Sequence, residues 1–184
     1  MRLILASASP RRRELLTQIG LTFTVVTADL DETPLPGEDH LTYTLRLAEA
    51  KARVVLAQHA DATVVGADTI VTIDGQLLGK PADAADAARM LRLLAGRTHQ
   101  VTTGVAVLAA GSTRTFAETT DVTFAAMTDA DIAAYIATGE PMDKAGAYAI
   151  QGRAAQWIPR IEGEYSNVVG LPLARVRETL LRLA

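Results

Sequence analysis

The N-terminal residues 2–16, RLILASASPRRRELL, constrain the fold more than any other segment of the chain. Residues 2–7 predict a short buried strand, because the run is apolar and ends at a serine. Ser9 is a favourable N-cap and Pro10 a favourable first helical residue, so a helix is expected to begin directly after the strand. The chain therefore opens with a strand that runs into a helix.

The rest of the sequence predicts further strands and helices in alternation. The expected strands cover 22–28, 62–73, 99–109 and 113–126, and the expected helices cover 41–58, 83–95, 128–139 and the chain after Pro172. Asp74-Gly75 predicts a tight hairpin, Gly111-Ser112 a second turn, and 145–163 short strands and loops. Because strands outnumber crossover helices and several pair as hairpins, we expect an α/β fold with a mixed, partly antiparallel sheet.

The composition is typical of one compact domain. Hydrophobic residues make up 49% and charged residues 21% of 184 residues, which supports a packed core, and we expect a single domain over 1–184 without a linker. No apolar run approaches the ~20 residues of a membrane-spanning helix, and the N-terminal LILA is too short for a signal peptide. With no cysteine, neither disulfides nor thiolate metal sites are available, and a cytoplasmic location is expected.

The charge of the chain argues against nucleic-acid binding. The sequence pI is about 5.6, so the protein lacks the broad positive field that a protein needs to bind along a phosphate backbone. Aromatic residues are only 4% of the chain, so stacking of single-stranded bases is also not expected. Any positive site must therefore be local.

The clearest local positive cluster is Arg11-Arg12-Arg13, in the first turn of the predicted first helix. A helix N-terminus attracts phosphate through its free N–H groups and its dipole, but arginines there oppose that dipole unless an anion binds between them. Successive helical positions diverge by about 100°, so all three cannot face one ligand. We expect one or two to reach an anionic ligand.

Carboxylates and lysines predict the rest of a site. Asp68 interrupts the apolar strand GADTIV, where a lone carboxylate is costly unless it is paired or metal-bound. Glu32 lies in the loop before the helix that carries Lys51, and Lys80 ends the returning hairpin strand. The cationic side chains and the helix N-terminus can bind phosphate, and the carboxylates can bind a metal. Together they predict a metal–polyphosphate site. No P-loop, GxGxxG, GxSxG or metal-binding histidine spacing is present.

Seven motifs in order give the chain a family resemblance. They are S-x-S-P-R-R-x-E-L-L from Ser7, Asp31-Glu32, E-A-K-A from Glu49, G-A-D-T-I-V from Gly66, G-K-P from Gly79, D-K-A-G-A-Y-A-I-Q-G from Asp143 and N-V-V-G-L-P from Asn167. Over nearly its whole length the chain resembles the Maf proteins, which are nucleoside triphosphate pyrophosphatases. The resemblance implies a fold similar to the inosine triphosphatase type, with two lobes around a central cleft, often dimeric.

The resemblance also implies roles for individual residues. Asp68 matches the family's catalytic acid/base. Other positions match residues that bind phosphate or metal in the family, namely Ser7, Arg12, Glu32, Lys51 and Lys80. Ser9, at the start of the predicted helix, is expected to bind substrate with them. The implied metal ligands are Glu32 and Asp68, with Mg²⁺ or Mn²⁺. Arg11, Thr69 and Gln151 match the positions that mark the dTTP/UTP branch. Lys144 is expected to support the base pocket through Asp143 or a backbone carbonyl.

These observations predict metal-dependent hydrolysis of dTTP and UTP to the monophosphate and pyrophosphate, a nucleotide-pool house-cleaning reaction. The Gln151 amide matches the O4/N3–H edge of uracil and thymine, but it can flip toward cytosine, and the edge of guanine is similar. One alternative is therefore a 7-methyl-GTP or broader nucleotide pyrophosphatase. The alternative of another class is a nucleotide-sensing regulator of cell division without turnover.

Overall fold

The computed structural model describes residues 2–183. Within that range the chain forms seven strands and six α-helices. The strands are β1 (Leu3–Ala6), β2 (Thr24–Val25), β3 (Thr63–Ile73), β4 (Gln76–Leu78), β5 (Thr98–Ala109), β6 (Ser112–Thr123) and β7 (Arg160–Glu162). The helices are α1 (Pro10–Gln18), α2 (His40–Gln58), α3 (Ala84–Leu94), α4 (Asp129–Ile136), α5 (Tyr165–Val169) and α6 (Leu173–Leu181). Of these helices within the described range, none has both the length and the apolar character needed to cross a membrane.

The strands pair in the order β2-β1-β3-β5-β6-β7, and β4 pairs with β3. β1 is parallel to both of its neighbours, and Ile4 lies opposite Thr24 of β2 and Val64 of β3. β4 and β7 are antiparallel to β3 and β6 respectively. The mixed, partly antiparallel sheet predicted from the sequence is confirmed.

The chain divides into two compact units, which we call the first and second units. The first unit consists of the chain up to Thr69, Thr103–Glu118 and the chain from Gly170 onward. The second unit consists of Ile70–Thr102 and Thr119–Val169. Strands β3, β5 and β6 contribute residues to both units.

In the first unit, α2 packs closely on the sheet. Gly66 of β3 makes this approach possible, because a Cβ at that position would lie 2.2 Å from the carbonyl oxygen of Ala48. The close contact places the α2 face that carries Lys51 directly over β3. The buried residues of this core are Ile4, Ala6, Ala48, Ala52, Val55, Ala62, Val64, Ala106 and Leu108.

In the second unit, three rings form a buried aromatic cluster. His99 packs edge-on against Phe124 and Tyr148, with ring centroids 5.1 Å and 5.4 Å away. Its Nε2 lies 2.8 Å from the Tyr148 hydroxyl. Burial lowers the pKa of His99 to about 4, so the ring is neutral at physiological pH. His99 is therefore part of the packed core of this unit.

Two segments differ from the sequence prediction. The strand expected over 22–28 is reduced to Thr24–Val25, because only these residues pair with the four-residue strand β1. The segment 145–163, expected as short strands and loops, contains the 3₁₀ helices Ala145–Ala147 and Arg153–Trp157 and only the strand β7. Gly146 and Ala147 have φ of 68° and 59°, a left-handed conformation that is incompatible with a strand.

The remaining boundaries agree closely with the prediction. Ser9 is the N-cap of α1 with Pro10 as its first residue, and Thr128 caps α4 in a capping box with Asp131. The Asp74-Gly75 hairpin is present. The second turn lies one residue earlier than expected, because Ser112 already belongs to β6.

Candidate active site

A buried lysine joins two carboxylates in the first unit. The Lys51 Nζ atom lies 2.7 Å from Asp68 Oδ1 and 2.7 Å from Glu32 Oε1. The side chains of Lys51 and Asp68 are 11% and 9% exposed, whereas that of Glu32 is 49% exposed. The structure thus brings together three of the residues that the sequence singled out, with one carboxylate open to solvent.

The packing of α2 on β3 positions the buried pair. Lys51 lies on the buried face of α2, one residue before Ala52, which would lie 3.0 Å from a Cβ at Gly66. Asp68 follows Gly66 by two residues, on the same face of the strand. The close approach of α2 at Gly66 therefore brings the Lys51 ammonium to the Asp68 carboxylate.

The loop that carries Glu32 is fastened to α2. The Tyr43 hydroxyl donates to the backbone oxygen of Glu32 at 3.0 Å. Arg46 pairs with Glu38 at 2.6 Å and donates to the backbone oxygen of Thr33 at 3.3 Å. These contacts hold the loop at Glu32 and after it, so α2 carries the Lys51 ammonium and also fastens the loop that carries the Glu32 carboxylate.

The electrostatics of the cluster are dominated by burial. Burial raises the pKa of the Asp68 carboxyl above its ordinary value of 3.8, and the positive charges of Lys51 and Arg12 partly offset that rise. Burial, together with the negative charges of Asp68 and Glu32, raises the pKa of Tyr43 to about 12. The Asp68 carboxylate is therefore a better proton acceptor than an exposed aspartate.

Arg12 binds the residues on both sides of Asp68, one through its backbone and the other through its side chain. Its Nη1 donates to the carbonyl oxygen of Ala67 at 2.8 Å, and its Nη2 donates to Thr69 Oγ1 at 2.9 Å. These acceptors belong to the residues immediately before and after Asp68. The planar guanidinium suits this role, because its N–H groups have a fixed geometry.

The other donors of Arg12 bind nearby groups of the same unit. Nε donates to the carbonyl oxygen of Gly170 at 2.8 Å, and Nη1 also donates to Ser7 Oγ at 3.1 Å. Ser7 Oγ accepts in addition the N–H of Ser9 at 3.2 Å. Counting one bond from Nε, two from Nη1 and one from Nη2, four of the five guanidinium N–H groups are used internally.

The arginine triplet divides by burial. Arg12 is buried, Arg11 is half-buried and Arg13 is exposed. The three side chains therefore lie in different environments, and Arg13 lies on the surface. The Ser9 side chain makes no capping hydrogen bond to α1.

Lys80 and Gln151 lie in the second unit, and both are exposed. Their motifs are joined through the backbone, because the Gly146 N–H donates to the carbonyl oxygen of Gly79 at 3.1 Å. Gly146 also packs on Val71, where a Cβ would lie 2.8 Å from a methyl group. The G-K-P and A-G-A-Y motifs therefore form one local structure within this unit.

Lys144 has the two kinds of contact expected of it. Its Nζ donates to the backbone oxygen of Glu140 at 2.9 Å and pairs with the carboxylate of Asp143. Both partners lie in the short 3₁₀ helix Glu140–Asp143. Lys144 thus fastens the start of the D-K-A-G-A-Y motif to the turn before it.

Two carboxylates near one ammonium fit a divalent metal that arrives with its substrate. Among residues 2–183, no three His, Asp or Glu side chains are grouped as a closed metal cage. Mg²⁺ is commonly held by one or two carboxylates together with substrate phosphates and water. Glu32 and Asp68 match that donor set, since both are oxygen ligands and Glu32 is half exposed.

Several residues of this site were missed in the sequence. Tyr43 and Arg46 lie on the predicted helix, but nothing in their spacing indicates that they bind a loop ten residues earlier. Gly170 falls within the N-V-V-G-L-P motif, which marked the segment without showing that its carbonyl accepts from Arg12. Glu140 precedes the D-K-A-G-A-Y motif and had no separate signal.

The comparisons with known proteins identify the family of the chain. A family model described as Maf-like protein matches residues 2–183, which confirms the predicted resemblance. The chain is 54% identical to the dTTP/UTP pyrophosphatase of Koribacter versatilis over 182 residues, which is 99% of this chain and 94% of that protein. It is 53% identical to the dTTP/UTP pyrophosphatase of Pelotomaculum thermopropionicum over 180 residues, covering 97% and 94% of the two chains.

Two solved structures share the fold. The Ham1 protein of Staphylococcus aureus superposes with a TM-score of 0.58 at 16% identity, and a HAM1 protein of Coxiella burnetii with 0.56 at 15%. Each match covers 100% of both chains. At such low identity these likenesses concern the fold alone, and they confirm the predicted fold class.

Proposed function

The chain belongs to the Maf-like protein family, and from this premise we propose that it is a pyrophosphatase acting on dTTP and UTP. Water attacks the α-phosphorus, the α–β anhydride bond breaks, and the products are the nucleoside monophosphate and pyrophosphate. The relatives are named dTTP/UTP pyrophosphatases, which supports dTTP and UTP as the substrates. The observation that carries the chemistry is the Lys51 ammonium at 2.7 Å from both Asp68 and Glu32.

Asp68 is the proposed proton acceptor. One of its oxygens, Oδ1, is held by Lys51, which leaves Oδ2 to orient the attacking water and take its proton. Burial raises the pKa of Asp68, and this favours proton transfer from water in the transition state. Arg12 fixes the residues on either side of Asp68, so the carboxylate is oriented before substrate binds.

Positive charge is the second part of the proposed mechanism. Lys51, Lys80 and Arg12 stabilise the negative charge that develops on the phosphates, together with the N-terminus of α1. Arg12 contributes mainly through its buried charge and its hold on the backbone, because most of its N–H groups already have internal acceptors. Ser7 and Ser9 line the same strand–helix junction.

The proposed metal ligands are Glu32 and Asp68. Mg²⁺ or Mn²⁺, when bound, supplies Lewis-acid charge at the phosphate oxygens. Without such an ion, Lys51 and Arg12 supply the positive charge near the two carboxylates. The half-exposed Glu32 side chain allows the ion to enter together with the triphosphate.

Arg11, Thr69 and Gln151 are the proposed substrate-selecting residues. The Gln151 side chain is exposed, and its amide offers a donor and an acceptor that match the O4/N3–H edge of uracil or thymine. Thr69 is tied to Arg12 and lies 2.9 Å from the Thr103 hydroxyl, so its own position is fixed. A site built to hydrogen-bond one base edge rejects mismatched edges strongly.

A triphosphate panel with pyrophosphate detection tests this function. Purified protein with Mg²⁺ or Mn²⁺ is offered dTTP, UTP, CTP, GTP and 7-methyl-GTP at equal concentration. We expect pyrophosphate release to be fastest with dTTP and UTP. Preference for 7-methyl-GTP would contradict the role of Gln151, and binding of dTTP without any turnover would indicate a nucleotide sensor.

The low aromatic content and the pI of about 5.6 support a small-molecule substrate rather than a nucleic acid.

We further propose a homodimer in the cytoplasm. Light scattering after size exclusion gives the mass directly, and a mass of one 19.5 kDa chain would contradict the dimer.

A further inference from the structure

The Gln151 side chain owes its position to the backbone around it. Gly146–Ile150 are buried, whereas Gln151 is exposed. Within residues 2–183, the Gln151 amide makes no hydrogen bond of its own. The position of the amide therefore depends on the contacts that hold the backbone before and after residue 151.

Glu140 binds that backbone on both sides of Gln151. Its carboxylate oxygens Oε1 and Oε2 each accept the N–H of Arg153 at 3.1 Å. Oε1 also accepts the Tyr135 hydroxyl at 2.7 Å, and this hydroxyl accepts the N–H of Ala149 at 3.2 Å. The two backbone N–H groups lie two residues before and two residues after Gln151.

Gly152 brings the backbone into direct contact with the same carboxylate. A Cβ at Gly152 would lie 2.2 Å from Glu140 Oε1 and 2.4 Å from Oε2. The residue that follows Gln151 must therefore be a glycine for Glu140 to occupy this place. The G in A-I-Q-G thus has a packing role that its backbone angles, φ −103° and ψ −151°, do not require.

The Glu140 side chain is itself held in place. Its backbone oxygen accepts Lys144 Nζ at 2.9 Å, and its N–H donates to Thr138 Oγ1 at 3.1 Å. Burial and the neighbouring Glu140 raise the pKa of Tyr135, so that hydroxyl stays protonated and donates to Oε1. Thr138 and Lys144 thus fix the Glu140 backbone, while the Tyr135 hydroxyl and the Arg153 N–H both donate to its carboxylate.

We propose that Glu140 is a positioning residue for base selection, which places the Gln151 amide by binding the Ala149–Arg153 backbone directly and through Tyr135. This role rests on the proposed function of Gln151 in recognising the uracil or thymine edge. Glu140 does not touch the substrate. Its loss should therefore alter the choice between bases more than the turnover of a saturating preferred substrate.

A double-mutant cycle tests this role. The measured quantity is the ratio of kcat/KM for UTP to that for CTP, in wild type, Glu140→Gln, Gln151→Ala and the double variant. Because the amide matches uracil in one orientation and cytosine when flipped, this ratio reports how firmly one orientation is held. Glu140→Gln keeps the volume but replaces one acceptor oxygen with an NH₂ group, which cannot accept the Arg153 N–H. Glu162→Gln, an exposed glutamate of the same unit, is the matched control.

We expect Gln151→Ala to lower the UTP/CTP ratio about tenfold and Glu140→Gln about three- to fivefold, the range of one weakened hydrogen bond. In the Gln151→Ala background, Glu140→Gln should change the ratio no further, because the two residues act in series. Glu162→Gln should leave the ratio unchanged. Tyr135→Phe, which removes the relay to Ala149 without changing charge, should resemble Glu140→Gln.

Two results would overturn the positioning role. If Gln151→Ala lowers the ratio but Glu140→Gln and Tyr135→Phe reduce kcat/KM for UTP and CTP equally, Glu140 is only structural and the role of Gln151 stands. If Gln151→Ala leaves the ratio unchanged, base recognition by Gln151 fails and the role of Glu140 with it. Absence of pyrophosphate from the wild type would instead refute the proposed activity itself.

Discussion

Two regions hold their functional side chains in opposite ways: the Asp68 cluster, which is Asp68 with Lys51 and Glu32, and the Gln151 segment, which is Ala149–Arg153. Around Asp68 the side chains are buried and their charges are satisfied by one another, with Lys51 between two carboxylates. Around Gln151 the backbone is buried and bound by Glu140, while the functional side chain is exposed. The first arrangement tunes a reactive group through its environment, and the second places a recognition group without modifying it.

This difference predicts different consequences of mutation. Changes in the Asp68 cluster should reduce turnover of every nucleotide, because they alter charge at the reacting phosphates. Changes in the Gln151 segment should alter the choice of base, as proposed above for Glu140. A variant of the first region that changed only base selection would contradict this division.

The largest effect is expected for Asp68→Asn. The amide is nearly isosteric but cannot accept a proton from water, so kcat with dTTP should fall by about 10²–10⁴-fold, the usual contribution of a general base. Calorimetry with a non-hydrolysable dTTP analogue should still detect binding. Retention of more than about a tenth of the wild-type kcat would exclude Asp68 as the proton acceptor.

Lys51→Met should be the next most damaging change. Removing the ammonium leaves two carboxylates facing each other, and breaking a buried ion pair in this way costs about 3–5 kcal/mol of stability. Urea unfolding measures that loss, and kcat should fall by about 10²-fold. Arg53→Met on the same helix is the control, because its exposed pair with Glu49 contributes at most about 0.5 kcal/mol.

Arg12→Lys and Arg13→Lys form a matched pair within the triplet. A lysine at position 12 has one nitrogen where the guanidinium uses three, so it cannot keep all four hydrogen bonds of Arg12, and kcat/KM should fall by about 10- to 100-fold, as expected from losing two or three of them. Arg13 is exposed, and its replacement should leave kcat/KM unchanged. An unchanged kcat/KM in both variants would show that positive charge, not the geometry of the guanidinium, is what this turn provides.

The smallest effect concerns stability in the second unit. Burial lowers the pKa of His99 from 6.5 to about 4, so the unfolded chain binds this proton more readily than the folded one. The contribution of neutral His99 to stability is present above pH 6.5 and is lost as the pH falls toward 4, at up to about 1.4 kcal/mol per pH unit.

His99→Gln is the variant that isolates this effect. A glutamine cannot titrate, yet it can still bind the Tyr148 hydroxyl, so the variant should lack this part of the pH dependence. The test is urea unfolding of both proteins between pH 7 and pH 4. Identical slopes would mean that the folded and unfolded chains bind the His99 proton equally well, which would contradict the lowered pKa.

The sequence was sufficient for most of the fold. The N-cap at Ser9, the proline after it and the Asp74-Gly75 turn are local signals, and each element they predict is present. Strand β2 was overestimated, because its length depends on the partner strand β1 rather than on its own residues. The segment near Gly146 was misassigned, since its left-handed backbone is not evident from its apolar composition.

The site was predictable in its residues but not in its contacts. Asp68 in an apolar strand requires a charged partner, so Lys51 could be expected nearby. The inward orientation of Arg12 could not be predicted, because its acceptors Ala67 and Gly170 are 55 and 158 residues away in sequence. Glu140 binds backbone N–H groups, which every residue except proline offers, so no side-chain pattern reveals it.

The most direct test of the central claim is hydrolysis of dTTP in water enriched in ¹⁸O, followed by mass spectrometry of both products. Attack of water on the α-phosphorus, with Asp68 taking its proton, predicts one ¹⁸O atom in the thymidine monophosphate and none in the pyrophosphate. The label in pyrophosphate, or release of orthophosphate in place of pyrophosphate, would contradict it.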